Sequence, residues 1–195
     1  LENTVKQLGL STRVLLVCAA FAAVHLLLHL STGTFLAVLA PTSPPLYALG
    51  AGVHGVLPFV ARRYTGVVGS ATITAGIAGL LIAATSPSGV IILVPFLLTG
   101  AIIDLVVWKV DHRDRGPRTV QARYLLAAVI LGAALFGVSL AVFSPEHLTA
   151  PIILGTLLGR IVGEVVAAVL SGMIARALQR AGVGTRSRRA SPSRR

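Results

Sequence analysis

Long apolar runs, separated by short polar stretches, dominate the pattern along this chain. Six of them reach or approach the roughly 20 mainly apolar residues that a helix needs to cross a bilayer. They cover residues 14–30, 46–61, 66–84, 90–108, 124–143 and 151–176. The pattern predicts an all-α integral membrane protein of six transmembrane helices. The second run is short, and its end is expected near Pro58. Between the first two lies "STGTFLAVLAPTSPP", where Pro41, Pro44 and Pro45 oppose a regular helix, so a loop lying across or dipping into the membrane is expected there. The stretch 13–30 imitates a signal peptide, but it is as long as a full span and is read as a retained helix.

The polar positions set the topology. Lys6 and Arg13 precede the first run, Arg62 and Arg63 follow the second, and Lys109, Arg113, Arg115, Arg118 and Arg123 separate the fourth from the fifth. Arg176, Arg180 and the tail arginines follow the sixth, whereas residues 31–45, 85–89 and 144–150 contain no Lys or Arg. Every basic residue except Arg160 therefore falls on one side of a six-span arrangement. By the positive-inside rule both termini are expected to be cytoplasmic. Residues 1–184 form the expected single transmembrane domain, and 185–195 a disordered basic cytoplasmic tail suited to anionic lipid headgroups.

Composition agrees with this reading. Charged residues make up 12% of the 195, about half the share usual in soluble domains, and mean hydropathy is +0.87. The net charge of +11 mainly reflects the one-sided topology and the tail. No aromatic-basic pattern suggests nucleic acid as a partner. Cys18 is the only cysteine, which excludes an intramolecular disulfide. No Gly-x-Ser-x-Gly context, phosphate-binding Gly-rich loop or paired-carboxylate constellation is present, so no enzymatic chemistry, resident cofactor or self-powered ATP use is expected.

Charges inside the apolar runs carry the functional signal, because each costs several kcal/mol at the bilayer centre. Arg160 and Glu164 lie one helical turn apart in "GTLLGRIVGEVVAAVL" and share a face. They can form a structural salt bridge, or Arg160 can pair with Asp104 across helices, or they can line a cavity and contact a solute. All three arrangements turn them inward. Asp104, Arg160, Glu164 and His54 are the candidate cavity residues, with Tyr47, His25 and His29 nearer its mouth. His25 and His29 have metal-compatible helix spacing, but no carboxylate on their span joins them, so no metal site is assigned. Glu146 and His147 fall in the last outer loop. Small residues four apart, such as Ala19 and Ala23, or Gly155, Gly159 and Gly163, allow close helix approach within the bundle or against a partner.

Several stretches resemble the S components of energy-coupling-factor (ECF) vitamin transporters. "PLYALGAGVHGVLPFVARR" and the Gly-rich run after it are similar to the second and third helices of the thiamine-precursor branch. "LLTGAIIDLVV" is similar to its fourth helix and "IARALQRAGV" to its closing segment, so the resemblance spans about 14–184. It implies a substrate-capture subunit in the cell's inner (plasma) membrane that binds a vitamin or precursor, such as hydroxymethylpyrimidine or a thiamine-related compound. It also implies docking, through Ala19 and Ala23 on the first helix, to a transmembrane coupling subunit served by two cytoplasmic ATPases. A proton-coupled secondary transporter using Asp104 or Glu164 is one alternative, though no internal repeat relates residues 1–90 to 91–180. A structural or assembly protein is another.

Overall fold

The computed structural model describes residues 11–86, 89–108, 116–140 and 149–182, all of it helix or connection. Glu146, His147 and the tail 185–195 lie outside the described residues. Among the described residues seven α-helices follow in order: α1 Thr12–Thr42, α2 Pro44–Ala51, α3 Val56–Thr65, α4 Ser70–Ala83, α5 Leu93–Val106, α6 Pro117–Leu140 and α7 Ala150–Arg180. A 3₁₀ turn at Gly52–Gly55 joins α2 to α3, and another at Gly89–Ile92 leads into α5. Taken with those turns, Thr12–Thr42, Pro44–Thr65, Gly89–Val106, Pro117–Leu140 and Ala150–Arg180 are each long and apolar enough to cross a membrane. The apolar helix Ser70–Ala83 is shorter.

Two expectations about the first half of the chain need correction. The segment 31–45 is not a loop, because α1 runs on as one helix to Thr42. Its polar residues do not interrupt the helix, since the hydroxyls of Ser31, Thr32 and Thr42 donate to the carbonyls of Leu27, Leu28 and Val38 one turn back. Pro41 lies in the last turn, where little helix remains to be broken. At 1.5 Å per residue this helix is about 46 Å long, well beyond a 30 Å hydrocarbon core. Nor does Pro58 end the second run, because it occupies the first turn of α3, where its missing N–H would have had no intrahelical partner.

Packing follows the logic of a bundle in lipid rather than water. The main core joins Phe59 and Val60 of α3, Ile103 of α5, Tyr124, Ala127, Ala128 and Leu131 of α6, and Ala167 and Ala168 of α7. A smaller cluster unites Ala22 of α1, Ala78 and Ile82 of α4, and Phe96 of α5. Large apolar residues such as Leu16, Leu27, Phe35, Val90, Leu105 and Leu154 instead face outward. Small residues inside and leucines outside are what helix association by close van der Waals contact requires when the solvent is itself hydrocarbon. One of the tightest approaches joins the Gly52–Gly55 turn to α7, where a Cβ on Gly52 would overlap the backbone of Gly163. That contact places His54 and Gly55 beside Glu164, and so begins the site.

Candidate functional site

Two separate groups of buried polar residues lie toward opposite ends of the bundle. The first is built where α3, α5 and α6 approach the basic connections. Arg62, at the end of α3, places Nε 3.3 Å from Asp104 Oδ1 and donates through Nη2 to the Val107 carbonyl. Asp104 Oδ2 accepts from both the backbone N–H and the hydroxyl of Thr72, at 2.8 and 2.7 Å. Beside them, the Arg63 guanidinium lies 3.6 Å from the centroid of the Tyr124 ring and donates to Ser171 Oγ, Gln121 Oε1 and the Ala168 carbonyl. These contacts tie α3 to α4, α5, α6 and α7.

Asp104 therefore has a partner other than Arg160, and it is not among the residues that line the cavity. Arg62 and Arg63, which read as loop cations in the sequence, are folded inward at the helix end. Their guanidinium groups reach past the chain terminus of α3 to partners that only the neighbouring helices supply.

The second group lines a cavity of about 640 Å³, within the range of small-molecule sites. It is framed by the second half of α1, by α2 and the Gly52–Gly55 turn, by Thr85 and Ser86 after α4, by the first turns of α5, and by α7. Tyr47, His54, His29, Arg160 and Glu164 all line it. His25 lies one turn from His29, fully buried behind His54, with its Nε2 3.3 Å from His54 Nδ1. Phe96 packs against both rings, with centroids 5.0 Å from His25 and 6.3 Å from His54. The segment 33–40, expected to be a loop, contributes Gly33, Thr34, Leu36, Ala37 and Ala40 as one wall.

Arg160 and Glu164 are the unusual part of this cavity. Their residues are 7% and 1% exposed, yet Arg160 Nε and Nη1 and Glu164 Oε2 have no hydrogen-bond partner. Among the described residues no ion pair joins them, although they are one turn apart on α7. Glu164 Oε2 is held against Gly55, where a Cβ would overlap it. Buried charges are normally paired and hydrogen-bonded. Two such groups left open on a cavity wall form a polar patch suited to a solute with both acceptor and donor groups.

Among the described residues no group of three or more His, Cys, Asp or Glu side chains is placed to hold a metal ion. On α1, Ala19 and Ala23 are exposed, whereas Cys18, Ala22 and His25 turn inward. The alanine pair thus lies on the outward side of α1, before the cavity wall that begins at His29.

No family model and no curated protein matches the sequence. The fold is similar to that in the crystal structure of an S-component of ECF transporter, with a TM-score of 0.76 and 21% sequence identity over 89% of this chain and 87% of that one.

Proposed function

We propose that this chain is the substrate-capture subunit of an ECF-type ABC importer, acting in the cell's inner membrane without chemistry of its own. One observation carries the proposal most strongly: a cavity of solute size whose wall holds Arg160 and Glu164, both buried, with Arg160 Nε and Nη1 and Glu164 Oε2 lacking a hydrogen-bond partner. A purely structural lock would pair Arg160 with Glu164, which leaves a bound solute as the natural partner for both. The likeness in fold to an S-component supports the same reading. By the positive-inside rule the Arg62 and Arg63 end faces the cytoplasm, so the cavity at the other end opens outward to collect solute. Arg160, Glu164, His54, His29 and Tyr47 contact the solute, His25 stands behind them, and Asp104 serves the bundle.

The solute is a small vitamin or precursor, with hydroxymethylpyrimidine or a thiamine-related compound the class we favour. His54, Phe96 and Tyr47 supply flat surfaces for a heteroaromatic ring, and Arg160 and Glu164 supply its donors and acceptors. Ala19 and Ala23 dock a transmembrane coupling subunit, whose two cytoplasmic ATPases drive release. The test is purification in mild detergent, followed by mass spectrometry of the co-purifying solute and pulldown of partners. A stoichiometric small heterocycle is expected, as is loss of the coupling subunit on Ala19→Leu or Ala23→Leu with the solute retained. An empty protein that is unresponsive to a vitamin panel in thermal-shift assays would refute capture.

A further inference from the structure

Two guanidinium groups meet over a single glycine at the end of the bundle remote from the cavity. Arg63 comes from the last turn of α3, and Arg176 from α7, one turn beyond Gly172. Long side chains on a helix lean back toward its N-terminus, so Arg176 returns along α7 and overlies Gly172. A Cβ on Gly172 would stand 3.5 Å from Arg63 Cζ and Nη1 and 3.7 Å from Arg176 Nη1. The two Nη1 groups therefore flank a space that the missing glycine side chain leaves open.

Arg63 is held in place by the protein itself. Its guanidinium lies on the Tyr124 ring, while Nε and Nη2 donate to Ser171 Oγ, Gln121 Oε1 and the Ala168 carbonyl. Because the group is planar and rigid, those contacts also fix the direction of Nη1. Arg176 is exposed, and no hydrogen bond or ion pair ties it to another described residue. Like charges brought this close repel unless an anion lies between them. The described residues include two carboxylates, and both are placed elsewhere. Asp104 is bound to Arg62 and Thr72, and Glu164 lies about two turns earlier on α7, at the cavity.

The shape of the gap selects the kind of anion. A planar carboxylate matches one guanidinium edge, whereas a phosphate spreads its acceptor oxygens tetrahedrally and can meet two forks that arrive from different helices. We propose that Arg63, Arg176 and the open face of Gly172 form a binding site for a phosphate group, separate from the solute cavity. A phospholipid headgroup and a free phosphate compound share this chemistry. The proposal does not rest on the capture reading above.

Titration of the full chain in maltoside micelles tests it, with inorganic phosphate in one arm and phosphatidylglycerol in the other. Phosphatidylcholine, whose headgroup carries no net charge, is the control. Thermal shift follows binding, and native mass spectrometry counts what is retained. Saturable binding of one equivalent is expected. Binding of phosphatidylglycerol but not inorganic phosphate assigns the site to a lipid headgroup, and binding of inorganic phosphate assigns it to a free phosphate compound. Arg176→Gln should weaken binding by about tenfold or more, the loss that charge-assisted hydrogen bonds imply, with the probe-free unfolding midpoint unchanged. Arg176→Lys should recover part of it, since lysine keeps the charge and lacks the fork. Arg123 is exposed on α6 and, two residues on from Gln121, points away from it, so Arg123→Gln should leave binding unaltered. Failure of both probes to bind, binding retained in Arg176→Gln, or equal loss in Arg123→Gln would overturn the site and leave only a diffuse basic surface.

Discussion

Replacing both cavity charges at once, as Arg160→Met with Glu164→Met, distinguishes a solute site from a structural lock. The two side chains are at least nine-tenths buried, and between them leave Arg160 Nε, Arg160 Nη1 and Glu164 Oε2 without partners. Each stranded group carries a desolvation cost of about 1–3 kcal/mol that no hydrogen bond among the described residues offsets. Replacing a buried ion pair by apolar residues of similar volume is commonly neutral or stabilising by about 1–4 kcal/mol. The solute-free double variant is therefore expected to be as stable as the parent or more so. Solute retention should fall at least a hundredfold, as loss of two charged contacts worth about 1.5–3 kcal/mol each implies. Equilibrium unfolding in mixed micelles gives the first quantity and mass spectrometry of the purified protein the second. Single variants are less informative, because either leaves the other charge alone in the interior. A double variant that still retains its solute would refute the reasoning, because charges that only lock the bundle can be replaced together without loss of capture.

The other buried cation should behave in the opposite way. Arg62→Met leaves Asp104 with its two Thr72 bonds but no countercharge, and about 3–5 kcal/mol of stability should be lost, with solute binding intact in whatever protein still folds. Adding Asp104→Leu should recover much of that loss, which a double-mutant cycle by equilibrium unfolding measures. Gly55→Ala places a methyl group on Glu164 Oε2, so the carboxylate must shift, with an overpacking cost of about 1–3 kcal/mol. Thermal shift with and without the solute that co-purifies with the parent protein should then show that the variant folds but binds it at least tenfold more weakly.

Legibility in the sequence varied with how local the governing physics is. Hydrocarbon length is a property of the chain itself, so the apolar runs could be located without a fold, and the one-sided basic residues give the expectation of an outward and an inward end. The inward orientation of Arg160 and Glu164 was likewise readable, because a charge facing lipid is too costly on any helix. The loop expected at 31–45 misled because prolines and hydroxyls are local breakers only where no alternative bonding exists. Here the hydroxyls return to their own helix, and the prolines fall at its end and at the start of the next.

Partnership between distant residues was decided by the tertiary structure alone. Nothing in the spacing indicates that Asp104 meets Arg62 and Thr72 rather than Arg160, or that Arg63 lies against Tyr124. Those pairings depend on how closely helices approach, and that distance is set by contacts such as Gly52 against Gly163. The same approach brings His54 between His25 and the cavity and leaves Arg160 and Glu164 unpaired on its wall. The sequence by itself determined that charges would be buried. Which of them hold the bundle together and which are left without a hydrogen-bond partner on the cavity wall was decided by packing, because a buried charge binds whatever the neighbouring helices bring within hydrogen-bond reach.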